Sequence, residues 1–151
     1  MFGFFNNKVF DKGYLPEFEG HEIYYQQMGN PKGEPVLFFH GGPGGSCKDS
    51  HGNYFNLKKQ RVIMFDQRGC GRSKTEDIIS LNDTKRLVKD ANRLLEYLNI
   101  CEPVTVAGGS WGSTLALLFA EKYPERIARI CLYAVFLARR EDMEWLSLIH
   151  I

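Results

Sequence analysis

The 151-residue chain has almost no net charge: nineteen Lys and Arg stand against eighteen Asp and Glu. With no basic stripe, a nucleic-acid partner is not implied, and the short cluster Lys58-Lys59-Gln60-Arg61 reads as a solvated loop ahead of a strand. Long apolar runs are also missing. The longest, residues 130–138, is nine residues and too short to span a bilayer, so no membrane association is expected. Met1-Phe2-Gly3-Phe4-Phe5-Asn6-Asn7-Lys8 has neither a basic region ahead of an apolar one nor a small-residue cleavage site, and is not read as a signal peptide. The four cysteines form no C-x-x-C pair and no Cys/His cluster spaced for zinc. Cys101 and Cys131 have apolar sequence neighbours, where a free thiol behaves as a small hydrophobe. A reducing compartment follows, and the expected location is cytoplasmic. Repeats, linkers and low-complexity tracts are absent, and oligomeric state has no signature.

What is present is ordinary globular material, 44% hydrophobic and 25% charged, in a chain long enough for one domain with a real core. Its organising stretch is Gly108-Gly109-Ser110-Trp111-Gly112, which follows the apolar run Val104-Thr105-Val106-Ala107 and precedes Ser113-Thr114-Leu115-Ala116-Leu117. A G-x-S-x-G between a β-branched strand and a helix is the sequence form of a nucleophile elbow, a sharp turn that lifts a serine hydroxyl above the sheet. Alone, the motif also describes a plain glycine-rich turn; the flanking strand and helix favour the elbow. So tight a turn strains the nucleophile's backbone and brings strand and helix together, so positions two before and two after the serine cannot carry bulk. Ser110 is the candidate nucleophile.

Along the chain, residues 1–16 read as an aromatic arm packed over the sheet. Residues 17–28 suggest one or two antiparallel edge strands, closed by the turn Gly29-Asn30-Pro31-Lys32-Gly33. Pro35-Val36-Leu37-Phe38-Phe39 and Arg61-Val62-Ile63-Met64-Phe65 are continuous apolar runs, as expected of parallel strands buried on both faces. Leu87, Val88, Ala91, Leu94, Leu95 and Leu98 make one stripe of a helix over 83–98, with Asn82 or Asp83 as its N-cap. A strand over 103–107 enters the elbow, and an apolar helix over about 113–122 leaves it. Tyr123-Pro124 stops that helix. A strand over 127–136 and a charged, helical segment from Ala138 complete an α/β pattern with a mostly parallel sheet.

Three loops fall at the carboxyl ends of their strands, where open parallel sheets place their sites: His40-Gly41-Gly42-Pro43-Gly44-Gly45, Asp66-Gln67-Arg68-Gly69, and residues 108–112. Consecutive glycines let backbone N–H groups approach a developing anion that a Cβ would obstruct. The glycine loop and the residue after the nucleophile, Trp111, would supply a two-donor oxyanion hole, each donor worth on the order of a hundredfold in rate. His40 is read as ordering the glycine loop, because in this arrangement the base follows the nucleophile in the chain. His21 and His51 carry no catalytic expectation. Asp66 and Arg68 are expected to hold loops together by hydrogen bonds and an ion pair.

HGGPGG, DQRGCGRS and GGSWGSTLAL together resemble the proline iminopeptidases (prolyl aminopeptidases), serine peptidases of the α/β-hydrolase fold. The resemblance takes in His21-Glu22-Ile23-Tyr24-Tyr25, Gly29-Asn30-Pro31 and Tyr123-Pro124-Glu125-Arg126, and covers nearly all of residues 14–146. It implies release of an N-terminal proline from a peptide substrate by proteolysis through an acyl-enzyme on Ser110, without metal or cofactor. It further implies that the N–H groups of Trp111 and Gly42 form the oxyanion hole. An esterase or lipase on the same fold, or a non-catalytic scaffold, is the alternative, since fold and elbow do not fix a substrate. Epoxide hydrolases and dehalogenases fit less well, because they carry aspartate where Ser110 stands.

The triad order in this fold is serine, acid, histidine. After Ser110 the chain has one aspartate, Asp142, and one histidine, His150. Both are read as decoys, because the residues in between cannot hold the further strand-and-crossover units that carry the acid and base. The expectation is therefore the N-terminal part of an α/β-hydrolase fold, a mostly parallel sheet with helices on both faces, incomplete in its later strands and cap. Residues 1–146 would be the N-terminal portion of the core domain and 147–151 a tail departing from the family. Such a fragment should be nearly inactive, since losing the base costs about a millionfold in turnover. It should also leave the strand over 127–136 as an apolar edge open to self-association.

Overall fold

Runs of apolar residues too continuous for a half-exposed strand lie side by side in the computed structural model, which describes residues 9–148. In chain order the elements are β1 (Val9–Tyr14), β2 (His21–Glu22), β3 (Tyr24–Gly29), β4 (Glu34–Phe39), a 3-10 turn (Asp49–Tyr54), β5 (Gln60–Phe65), β6 (Lys74–Thr75) and α1 (Thr84–Tyr97). There follow β7 (Val104–Ser110), α2 (Trp111–Lys122), a second 3-10 turn (Pro124–Arg126), β8 (Ile127–Val135) and α3 (Arg140–Leu148). Six strands form one sheet in the order β1-β3-β5-β4-β7-β8, and β2 pairs with β6 in a separate two-stranded ribbon. β3 runs antiparallel to both its neighbours; β5, β4, β7 and β8 are mutually parallel.

The pleat divides each apolar run between two layers. Leu37, Phe39, Ile63, Phe65, Val104 and Val106 meet Leu87, Ala91, Leu94, Leu115, Ala116 and Phe119 of α1 and α2. Val36, Phe38, Val62, Met64 and Ala107 face the other way, against Met28, Cys47, Phe55 and Leu57. Each such side chain removed from water contributes about 1.5–3 kcal/mol, so the central strands are what the layers close upon. α1 and α2 pack on one face of the sheet, and the 3-10 turn Asp49–Tyr54 covers part of the other, its His51 and Tyr54 rings lying against Phe38. Asp83 is the N-cap of α1, its carboxylate accepting from the Arg86 N–H at 2.9 Å. No helix among the described residues is long and apolar enough to cross a membrane.

The N-terminal segment differs from the expected arm. Residues 1–8 lie outside the described residues, but 9–14 are a strand, not an arm, and pair with β3. β3 is therefore interior, and β1 is the edge. The signal was masked because β1 is half exposed and carries Asp11 and Lys12, as edge strands do, while buried β3 contains Gln26 and Gln27. Both glutamines are satisfied: Gln26 donates to Asp49 at 3.0 Å and accepts from Arg72 at 2.9 Å, and Gln27 accepts from Arg61 at 2.7 Å. Cys101 and Cys131 are exposed, in the turn before β7 and on β8, and the buried thiol is Cys47. Apolar neighbours in sequence did not mean an apolar environment in space. β7 runs on through the glycines to Ser110, and α2 begins at Trp111, each further toward the elbow than the periodicity placed it.

Among the described residues β8 is the outermost strand on its side of the sheet, and Ile130, Tyr133 and Val135 are 45%, 45% and 55% exposed along it. Its single charge, Arg129, lies near its start and is bound to the exposed Glu34 at 3.2 Å, and residues 130–135 carry no charge to repel a second strand. Ile130→Lys should raise the concentration at which light scattering appears and leave the far-ultraviolet circular dichroism unchanged. Unchanged scattering would locate self-association elsewhere.

Candidate active site

β4 has β5 on one side and β7 on the other, so the chain reverses its direction of winding across the sheet at this point. Such a reversal opens a crevice beyond the carboxyl ends of the strands, and the three loops singled out in the sequence meet there. The turn from β7 into α2 is the tightest of them. A Cβ at Gly108 would overlap the Gly112 carbonyl, and one at Gly112 would overlap the Phe39 carbonyl and approach that of His40 at 2.9 Å. Backbone thus touches backbone from β4, β7 and α2, which is why the positions two before and two after Ser110 are glycine. Ser110 itself sits at φ 54° and ψ −128°, a conformation costing on the order of 1–3 kcal/mol, and its side chain is exposed.

The glycine loop abuts this turn: a Cβ built on Gly41 would lie 3.6 Å from the Ser110 Cβ. Gly42 is the next residue, at φ 152°, where a Cβ would press on the Gly44 and Gly45 nitrogens at 2.8 and 2.9 Å. Trp111 is the first residue of α2, so its N–H is among those a helix leaves without an intrahelical partner. The three candidate residues Ser110, Trp111 and Gly42 therefore lie at one junction of two glycine-rich turns.

A buried network ties the loops together. The Gln67 N–H donates to His40 Nε2 at 3.1 Å, so this nitrogen carries no proton in the neutral ring; His40 Nδ1 carries it and donates to the Gly41 carbonyl at 2.7 Å. The Gln67 side chain donates to the His40 carbonyl at 2.9 Å and accepts from the Trp111 indole at 3.1 Å. His40 thus orders the glycine loop, and Gln67 joins that loop to the elbow. Burial pushes the His40 imidazole below its ordinary range, outweighing the Gly41 carbonyl that favours the charged form.

Asp66 and Arg68 brace the middle loop, each with its own partner. Asp66 accepts from the Arg72 guanidinium and N–H, both at 2.8 Å, and from the Cys47 N–H at 2.7 Å. Burial would raise this carboxyl, but those donors outweigh it and hold it below the usual range. Arg68, fully buried, grips Asp90 of α1 at 2.5 and 3.1 Å and donates to Glu19 and the Leu81 carbonyl at 2.9 and 2.7 Å. Asp90 and Gln67 escaped the sequence reading. A charge breaking the apolar stripe between Val88 and Ala91 was the available signal for the first; for the second it was a place in the loop Asp66-Gln67-Arg68-Gly69 at the carboxyl end of a strand.

Beside Ser110 lies a hollow of about 320 Å³, lined by Ala134, Val135, Phe136, Asp142 and Trp145. Larger hollows, one along β2 and β6 and one between α1 and α2, do not include Ser110. Asp142, set aside as a decoy, thus comes close to the elbow. Its carboxylate is engaged by the Leu137 and Arg139 N–H groups at 3.1 and 3.2 Å and by the Arg139 guanidinium at 2.9 Å. His150 lies outside the described residues. Of the described histidines, His21 is buried in β2 with Nε2 at 3.0 Å from the Ser80 carbonyl, and His51 stacks on Tyr54. Among the described residues no group of three His, Cys, Asp or Glu is placed to hold a metal.

Comparison with known proteins matches residues 34–148 to the family of the alpha/beta hydrolase fold. The chain is 44% identical over 136 residues to a proline iminopeptidase of Xylella fastidiosa, covering 90% of this chain and 43% of that one. It is 43% identical over 138 residues to a proline iminopeptidase of Neisseria meningitidis, covering 91% and 44%. A solved proline iminopeptidase-related protein from Thermus thermophilus superposes with a TM-score of 0.71 at 32% identity, over 81% of this chain and 43% of its own. The chain thus spans less than half the length of the curated relatives it matches.

Gly112→Ala should lower stability by about 1–3 kcal/mol, because the new methyl meets backbone that cannot give way; an unchanged urea midpoint would contradict the close approach. His40 should titrate below its ordinary 6.5. Below that value the unfolded chain takes up a proton that the folded site refuses, so stability is flat above it and falls as the pH drops through it. Nitrogen-15 shifts of the His40 ring should show the proton on Nδ1 and a midpoint under 6.5; a midpoint above it would show that burial does not dominate.

Proposed function

This chain belongs to the α/β-hydrolase family, and we propose on that footing that it carries the nucleophile half of a proline iminopeptidase. In this reading Ser110 Oγ gives up its proton to the general base and attacks the carbonyl of an N-terminal proline residue; the C–N bond breaks, the following residue leaves as its protonated amine, and water cleaves the prolyl ester on Ser110 to release proline and restore the hydroxyl. The oxyanion of each tetrahedral intermediate faces the N–H groups of Trp111 and Gly42. Such donors act strongly because they are fixed before charge develops and do not have to reorganise. The observation that carries the reading is the exposed Ser110 at φ 54° on the turn between β7 and α2, in a chain 43–44% identical to proteins named proline iminopeptidase. Backbone strain at a single exposed serine has no packing benefit, and its use is to present the hydroxyl.

The acid and base are assigned by this reading to sequence beyond the present match, which takes up more than half of each relative. Residues 1–146 would then be the nucleophile-bearing portion of the core, soluble and cytoplasmic, acting on peptides. On the same reading the 151 residues alone turn over at about a millionth of the rate of a complete triad. An esterase or lipase remains the second reading on the shared elbow.

The test is to assay proline 4-nitroanilide hydrolysis by the chain itself and by the chain fused to the remaining length of the Xylella fastidiosa relative. The chain alone should show no turnover, and the fusion should release 4-nitroaniline in a reaction abolished by Ser110→Ala. A fusion that hydrolyses short esters but not the prolyl substrate would replace the peptidase reading with the esterase one. Turnover by the chain alone, lost in Ser110→Ala, would show that its own residues supply the base.

A further inference from the structure

At the elbow β7 stops being a strand, but its neighbour β8 continues. Gly109 pairs with Tyr133 while Ser110 pairs with Val135, so one extra residue, Ala134, is accommodated at φ 45°. One residue beyond β8, Phe136 has outrun its partner, because the chain that would have bonded to it has turned into α2. Its N–H and carbonyl would be left without a ladder. Two hydroxyls of α2 take the ladder's place. The Phe136 N–H donates to Ser113 Oγ at 2.9 Å, and Thr114 Oγ1 donates to the Phe136 carbonyl at 2.5 Å. Ser113 is fully buried, and its one proton goes to the Ser110 carbonyl at 2.6 Å, so its 3.4 Å approach to the Phe136 carbonyl is the weaker contact.

We propose that Ser113 and Thr114 are positioning residues, a two-hydroxyl clip that fixes the wall of the hollow at 134–136 relative to the backbone of Ser110. This rests on the reading of Ser110 as nucleophile and says how its surroundings are held in register. The same hydroxyl that receives the wall's N–H is bonded to the nucleophile's own carbonyl. A displacement of the wall is thereby transmitted to Ser110, and a displacement of the elbow to the wall. The far end is closed separately, where Asp142 accepts from the Leu137 and Arg139 N–H groups. Ala134, Val135 and Phe136 are held at both ends although, among the described residues, no strand pairs with Phe136. Misplacement of a reacting centre by about 1 Å can cost a hundredfold in rate, which is why a wall without a ladder needs such a clip.

The test compares amide hydrogen exchange in the 151-residue chain, its Thr114→Val and Ser113→Ala variants, and Thr114→Ser, which keeps the hydroxyl. Exchange at Val135, Phe136 and Leu137 should accelerate about tenfold or more in Thr114→Val and Ser113→Ala, remain at the original rate in Thr114→Ser, and stay unchanged in α1 in all of them. Local acceleration with rescue by serine supports the clip. Unchanged exchange at 135–137, or acceleration in Thr114→Ser equal to that in Thr114→Val, overturns it. Should Thr114→Val unfold, visible as fast exchange throughout α1, Ser113→Ala decides alone by the same criterion. Exchange requires no turnover, so failure of the clip and failure of the hydrolase reading register in different experiments.

Discussion

Backbone from three elements converges within contact distance at the junction of β7 and α2, and the architecture around it can be read as support for that crowding. Gly108 and Gly112 allow the contact, and Ser110 takes the unfavourable φ that results. Strain of this size persists only where neighbours over-determine the conformation. Here Ser113 holds the Ser110 carbonyl from inside the turn, and Gln67 holds the Trp111 indole from outside it. The apolar layer beneath, with Phe39 and Phe119 in contact at 5.8 Å between ring centres, keeps α2 from moving away from the strands. Relaxing the turn would require all of these to yield together.

The polar groups under the loops serve geometry more than stability. A buried ion pair such as Arg68 with Asp90 loses in desolvation much of what it gains by attraction. It does, however, fix two elements at one distance and one angle, because the guanidinium fork fits a carboxylate in few ways. Through it the 66–73 loop is anchored to α1, and through Asp66 and Arg72 it is anchored to the backbone at Cys47. His40, kept neutral by burial, completes the frame by bonding on one side to the middle loop and on the other to its own glycine turn. Three loops that differ in sequence thereby behave as one surface.

The two outermost strands among the described residues differ in character. At the β1 end the strand is short, interrupted by a shift of register near Phe10, and charged. At the β8 end it is nine residues long and apolar. The crevice lies toward the β8 side of the sheet, and the hollow beside Ser110 is walled by the continuation of that same strand.

The sequence by itself determined the parallel strands, α1 with its cap, the stop at Tyr123-Pro124, and the elbow with its two obligatory glycines. All of these are local: an apolar period, a capping side chain or a steric limit acts within a few residues and is legible wherever it occurs. The family likeness rested on the same short motifs. Only the tertiary structure decided that residues 9–14 form an edge strand, that β3 is interior, that Cys101 and Cys131 face solvent, and that Gln67, Asp90, Ser113 and Thr114 brace the site. Each of those facts depends on a partner ten or more residues away, as Tyr14 and Tyr24 are in the sheet and Thr114 and Phe136 are at the site. A hydroxyl or amide in a sequence carries no mark of whether folding will give it water or an orphaned backbone group to satisfy.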